Sequence, residues 1–345
     1  GVQTCALPIF IFISIFLSLV LTPLVKKFAI YIKAIDIPKD NRRVHEKPIP
    51  LLGGLAIYIS FVVTLFIKSG TYTWPELGIV AGATIIVIGG FLDDKYDLKP
   101  WQKLLFQVTA AICLWKFGVQ ILLITNPFNA VNTYLNVLNF SLPLTIIWVV
   151  GITNALNLID GLDGLAAGVA FISSITIMII AIMNGRVEAA AYTCILSGAI
   201  LGFLPYNFHP ASIFMGDTGA QLLGFLLAAI SIEGAIKSAA AFAIAVPILA
   251  LGLPIYDTLF AVIRRKINGK PIMQADKGHL HHRLLDMGLS QWQAVIVMYL
   301  ISAILGSFAI IAMQVSSQKS YFILAGIMVL IICIAWKFGF FKHKD

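Results

Sequence analysis

The chain has 345 residues, of which 59% are hydrophobic and 12% charged, with a mean hydropathy of +0.94. No soluble fold of this length needs so much apolar surface to fill its core, so a soluble enzyme or binding module is excluded. The formal net charge is +8, but Lys and Arg are divided among short loops and form no single patch or helix face, which argues against nucleic acid and for membrane topology.

A hydrocarbon layer about 30 Å thick takes roughly 20 apolar residues of helix, and the apolar runs lack the period-2 alternation of a membrane barrel. The expected architecture is therefore all-α, a polytopic transmembrane helical bundle of eleven spans. The stretch GVQTCALPI at 1–9, which begins without Met, reads as non-native adapter-like sequence and is set aside. One transmembrane domain is expected over 10–336, with a tail over 337–345. In chain order the spans are Phe10 to Val25, Leu51 to Ile67, Leu77 to Leu92, Trp101 to Ile124, Leu142 to Leu158, Leu162 to Met183, Ala189 to Leu204, Ala220 to Ile232 (starting near Gly216), Ala239 to Ile263, Trp292 to Met313 and Tyr321 to Trp336. The β-branched residues and Asn/Pro turn of 118–141 predict a hairpin outside the bilayer.

An odd number of spans places the termini on opposite sides. Loops 26–50, 93–103 and 264–290 and the tail fall on one side and hold 19 of the 24 Lys and Arg, which predicts a cytoplasmic C-terminus and an external N-terminus. Every polar motif described next falls on that cytoplasmic side.

Only 16 residues are acidic, so their clustering carries information. Phe91 to Asp97 reads FLDDKYD and sets Asp93 and Asp94 at a helix end, where neighbouring carboxylates repel unless a hard cation such as Mg²⁺ neutralises them. The run NALNLIDGLDGLAAG at 154–168 repeats Asn154, Asn157, Asp160 and Asp163 every three residues, near one helix face, with Gly161 giving backbone room for a ligand. Such polar groups in an apolar context usually serve a site, although Asn and Asp also cap helices. FMGDTGAQLLG at 214–224 puts Asp217 at a helix start, where the carboxylate suits a metal and the amides suit phosphate. The loop RRKINGKPIMQADKGHLHHRLLDMG at 264–288 gathers His279, His281, His282 and Arg283, whose spacing fits diphosphate oxygens better than zinc. Loop 36–54 carries Arg42, Arg43, His45 and Lys47, which serve either topology or phosphate steering. Asp257, an intramembrane carboxylate, is expected to pair with Arg264 two turns later or to line a cavity.

DDKYD, NALNLIDGLDGL, FMGDTG and HLHH, in this order on an eleven-span chain, resemble the glycosyl transferase family 4 enzymes, the polyprenyl-phosphate N-acetylhexosamine-1-phosphate transferases. The likeness runs from about Lys33 to Gly288. It is stronger to the bacterial GlcNAc-1-phosphate transferases that begin teichoic-acid, O-antigen or common-antigen assembly than to the phospho-MurNAc-pentapeptide branch. That branch shows a triple-His run and a TPTMGG-type loop where this chain has HLHH and PIPLLGG.

The resemblance implies a plasma-membrane enzyme whose active site faces the cytoplasm. It implies transfer from a UDP-N-acetylhexosamine to undecaprenyl phosphate with Mg²⁺, for which Mn²⁺ can substitute. Asp217 matches the Mg²⁺-binding Asp, with Asp93 and Asp94 completing an acidic cluster that is both metal-binding and catalytic. Asp160 and Asp163, with Asn154, Asn157 and Gly161, match the nucleoside and diphosphate segment. Phe214 matches an aromatic that stacks on uracil. His281 and His282, with His279 and Arg283, match the phosphate-facing motif, and Lys47 stands near a basic nucleotide contact. A homodimer is left open. A secondary transporter is the rival from another class, but no inverted repeat and no midplane charge pattern accompany the one-sided motifs. A prenyl diphosphate synthase would need a second DDxxD motif, which this chain lacks.

Overall fold

Backbone amides in lipid must be paired within their own segment, so the apolar runs fold as helices. The computed structural model describes residues 2–37, 48–69, 71–125, 134–236, 245–269, 278–315 and 317–337. The helices there are α1 (Val2–Tyr31), α2 (Gly54–Ser69), α3 (Trp74–Tyr96), α4 (Pro100–Lys116), α5 (Ser141–Ile159), α6 (Leu165–Met183), α7 (Val187–Asn207), α8 (Gly216–Ser231), α9 (Ala245–Ala250), α10 (Gly252–Ile267), α11 (Leu280–Asp286), α12 (Gln291–Gln314) and α13 (Ser317–Lys337). Six helical stretches among the described residues are long and apolar enough to cross a membrane: Leu7–Tyr31, Trp74–Tyr96, Leu138–Ile159, Leu165–Met183, Val187–Asn207 and Gln291–Gln314. Gly54–Lys68 and Tyr321–Cys333 are shorter apolar helices. The chain is an all-α, multi-pass membrane protein.

Helix α8 is the centre of the bundle. Each of its residues except Asp217 is buried, as a helix apolar on all sides requires, and it packs against α3 and α5, with α2 and α6 also in contact. In lipid, helices gain most from close backbone approach at small residues. At Gly90 of α3 a Cβ atom would stand 2.5 Å from the Cα of Thr218, so a side chain there would push the first turn of α8 away. A two-stranded ribbon, β1 (Ile35–Asp36) against β2 (Ile49–Pro50), is extended by the segment before α8. The Phe214 N–H donates to the Pro50 carbonyl at 2.8 Å, and the Gly53 N–H donates to the Phe214 carbonyl at 2.9 Å.

The sequence expectations and the structure differ in several places. The predicted hairpin is present as β3 (Leu123–Thr125) against β4 (Tyr134–Asn136), antiparallel, with Ile124 opposite Leu135. It takes chain that was assigned to the fourth span, since α4 ends at Lys116 instead of Ile124. The continuous run expected over 239–263 is broken. Helix α9 ends at Ala250 and α10 begins at Gly252, with Pro254 in its first turn, where a missing N–H costs nothing. Helix α1 begins at Val2, ahead of the start expected for the first span at Phe10, and the Cys194 thiol donates to the Leu7 carbonyl at 3.1 Å.

Candidate active site

Helix α3 stops at Asp97, whose φ of 55° is left-handed and whose N–H donates to the Asp93 carbonyl. The Asp93 side chain takes part in the same turn, because its Oδ1 accepts the Leu98 N–H at 2.9 Å. Pro100 then opens α4 in the position that suits proline. This tight return brings Lys103 back over the end of α3. Its ammonium bridges two carboxylates, Asp93 Oδ2 and Asp217 Oδ2, the latter at 2.7 Å.

Asp94 points to the start of α8. Its Oδ1 accepts the Asp217 N–H at 2.8 Å, while Oδ2 accepts the Thr218 N–H at 3.1 Å and the Thr218 hydroxyl at 2.6 Å. One carboxylate thus satisfies two otherwise unpaired amides of the first turn of α8 and offsets the positive end of its dipole. Gly216 makes this possible. Its φ is +70°, and a Cβ there would lie 2.4 Å from Asp94 Oδ2.

The third contribution comes from the end of α5 and the turn after it. The Asn157 side chain lies beside Asp217. Asn154, one turn earlier, pairs with Gln107 of α4, which also donates to Gln221 of α8 at 3.1 Å. Asp160 follows the last residue of α5. Burial pushes its carboxyl up to about 8, and the negative charges of Asp217, Asp94 and Asp163 act in the same direction. Asp163 Oδ2 accepts the Ala211 N–H at 3.0 Å and pairs with His209 Nδ1 at 2.8 Å, which ties down the loop leading to Phe214.

These elements surround one cavity of about 600 Å³. Asp93, Asp94, Asp160 and Asp217 all line it, with Gly161 and Asp163 beside them and Phe214 and His282 completing the wall. Other expected residues stand behind that wall. Asn154 and Asn157 make the contacts just described, and buried His279 pairs with Asp257. His281 packs on Gly161, where a Cβ would lie 2.5 Å from its Nε2. The Arg283 Nε–H donates to the Gly278 carbonyl at 3.1 Å. Burial and the nearby His282 hold the His281 imidazole down to about 3, so it is neutral near pH 7. Arg42, Arg43, His45 and Lys47 lie outside the described residues.

Lys103, Asn207, Asp36 and Gln291 line the cavity without having been singled out in the sequence. Lys103 was read only as topological charge. The spacing from Asp93 across a Pro-started helix was the available signal.

Among the described residues no three of His, Cys, Asp and Glu form a ready-made ligand set. The donors present are nevertheless oxygens, and Asp93 and Asp217 already share one cation, the Lys103 ammonium. Mg²⁺ commonly binds through one or two carboxylates and completes its shell with water and substrate phosphates. Asp93 and Asp217 fit that requirement.

A family model described as glycosyl transferase family 4 matches residues 76–235, a stretch that includes Asp93, Asp160 and Asp217. The "Probable undecaprenyl-phosphate N-acetylglucosaminyl 1-phosphate transferase" of Bacillus subtilis is 44% identical over 333 residues, covering 96% of this chain and 92% of its own length. The chain belongs to glycosyl transferase family 4. Two further members are less similar. The decaprenyl-phosphate N-acetylglucosaminephosphotransferase of Mycolicibacterium smegmatis is 36% identical, covering 80% of this chain and 74% of its own length. A phospho-N-acetylmuramoyl-pentapeptide-transferase of Clostridium botulinum is 32% identical, covering 81% of this chain and 87% of its own. That order agrees with the expectation drawn from the HLHH and PIPLLGG segments.

Proposed function

We propose that this chain transfers N-acetylglucosamine-1-phosphate from UDP-GlcNAc to undecaprenyl phosphate, releasing UMP and forming the lipid-linked diphospho-sugar that starts a surface polysaccharide. The observation that carries the reading is the cavity in which Asp93 from the last turn of α3, Asp160 from the turn after α5 and Asp217 from the first turn of α8 meet a cationic side chain. Full-length similarity to the Bacillus subtilis protein supports the choice of sugar and lipid.

In the reaction a phosphate oxygen of the lipid attacks the β-phosphorus of the UDP-sugar. The bond from that phosphorus to the bridging oxygen breaks, and UMP leaves with the electron pair. Charge spreads over the phosphoryl oxygens, so positioning and neutralisation count for more than a strong base. A lipid monoester is already largely ionised near pH 7, its second pKa being about 6, and direct attack follows without a covalent intermediate. Asp93 and Asp217 would hold Mg²⁺, which would supply neutralisation of the diphosphate charge. Lys103 supplies a fixed positive charge between the same carboxylates. Asp94 holds the first turn of α8 and so fixes Asp217, and Asn157 stands beside the Asp217 carboxylate. Phe214 offers an aromatic face to the uracil, and His282 a ring at the wall for phosphate oxygens.

The full topology belongs to the same reading: eleven spans in the plasma membrane, N-terminus outside, C-terminus and cavity in the cytoplasm, where nucleotide sugars are found. The test is UMP release by purified protein given UDP-GlcNAc, undecaprenyl phosphate and Mg²⁺. Release that requires both substrates is expected. No release with UDP-GlcNAc, UDP-GalNAc or UDP-MurNAc-pentapeptide overturns the proposal.

A further inference from the structure

Two facts about the His-rich segment stand apart from the cavity itself. Asp257, in the second turn of α10, is 6% exposed, and its two oxygens are divided between neighbouring residues of another segment. Oδ2 pairs with His279 Nδ1 at 2.8 Å, and Oδ1 accepts the Leu280 N–H at 2.8 Å. His279 and Leu280 are the entry to α11, the short helix that carries His281 and His282. A seven-residue helix has too few internal hydrogen bonds to hold itself in place, so its orientation must come from its anchors.

The second fact is how closely α11 meets the cavity. His281 packs against Gly161, beside Asp160, and its ring lies 4.2 Å from that of His282, which lines the cavity. The His279 and His281 rings stack in parallel, 5.9 Å between centroids with an interplanar angle of 8°. On the other side, Arg264 lies seven residues after Asp257 on the same face of α10, and its guanidinium would meet a Cβ on Gly278 at 2.3 Å. The α10 face therefore meets 278–280 at two heights, with Arg264 at Gly278 and the two oxygens of Asp257 at His279 and Leu280.

We infer that Asp257 is a positioning residue for the transfer reaction: by holding His279 and the Leu280 amide it sets the angle of α11 and thereby the placement of His281 and His282 at the cavity. The proposal rests on the reading of that cavity as the sugar-phosphate transfer site. Carboxylates that orient a working histidine from behind, as in metal sites, typically influence activity by about 10- to 100-fold when removed. An intramembrane carboxylate spent on this anchor is otherwise an expensive group to keep in an apolar setting.

The test is a double-mutant cycle read by UMP release. Asp257→Asn is expected to lower kcat/KM by about 10- to 100-fold in the wild-type background and by less than about threefold when His282→Gln is already present, because both changes disable the same element. Losses that multiply overturn the proposal, since a general weakening of the fold acts independently of His282. Hydrogen–deuterium exchange without substrate provides a readout independent of the chemistry. Asp257→Asn should speed exchange across 280–286 while α3 and α8 keep wild-type protection; unchanged exchange at 280–286 overturns the proposal whatever the substrate is. If Asp257→Asn does not yield folded protein, His279→Asn, which removes one of the two anchors, is read by the same cycle and the same exchange criterion. A wild-type protein that is inactive with every UDP-N-acetylhexosamine refutes the functional reading and leaves the exchange result to decide the anchor.

Discussion

Replacing Asp94 with Asn separates support of the site from its chemistry. The carboxylate accepts three hydrogen bonds, from the Asp217 N–H at 2.8 Å, the Thr218 N–H at 3.1 Å and the Thr218 hydroxyl at 2.6 Å. An amide has one acceptor oxygen. If its NH₂ replaces Oδ1, the Asp217 N–H faces a donor; if it replaces Oδ2, the Thr218 N–H does, while the hydroxyl can turn and accept. Either way one amide in the first turn of α8 loses its partner, and the remaining bonds lose their charge assistance. An unsatisfied buried donor costs about 1–3 kcal/mol and lost charge assistance adds about 1, so a total of about 2–4 kcal/mol is expected. The assay is thermal unfolding of the detergent-solubilised protein, followed by UMP release at a temperature where both proteins remain folded. Asp94→Asn should unfold several degrees earlier and, through the displaced Asp217, lose activity as well. Wild-type unfolding together with wild-type turnover would refute the capping role.

Asp217→Asn should behave differently: its backbone contacts persist and Lys103 keeps Asp93, so unfolding shifts little while UMP release falls at least about 100-fold, a loss of roughly 2.7 kcal/mol of transition-state stabilisation; retained activity removes Asp217 from cation binding. Lys103→Gln takes the shared cation from two carboxylates, of which only Asp93 is buried, and leaving that one buried group without its partner costs about 1–3 kcal/mol. Added Mg²⁺ should recover part of that loss in the variant, and indifference of its unfolding to Mg²⁺ would contradict a cation site between Asp93 and Asp217. The His281 ring, held down to about 3, binds fewer protons in the folded than in the unfolded state between about pH 3 and 6.5. Stability therefore falls as pH drops below about 6.5, by up to about 1.4 kcal/mol per unit. His281→Gln should flatten the fall in unfolding temperature between pH 7.5 and 5.5, and an unchanged slope would show that His281 is not the group responsible.

The polar motifs were legible because Asp and Asn are rare in this chain and stand out where lipid excludes them. Asp93, Asp160 and Asp217 stand at helix ends far apart in sequence, yet one side of the membrane was expected for all three, and all three line one cavity. Lys103 was hidden because a lysine in a short loop is what the charge rule for membrane proteins already predicts. The break between α9 and α10 was hidden because both sides of Leu251 are apolar, and hydropathy does not register where one helix ends and the next begins. For Asp257, helical periodicity offered Arg264 on the same face. Its bonds to His279 and Leu280 depend on the chain folding back after α10, which no local pattern records.

The central claim is that a phosphoryl group moves with the sugar. UDP-GlcNAc labelled with ³²P at the β-phosphate tests it directly, with undecaprenyl phosphate, Mg²⁺ and purified protein. The label should pass to the organic-extractable lipid while the released nucleotide is unlabelled UMP. Label recovered in UDP, with an unlabelled lipid, would contradict the account.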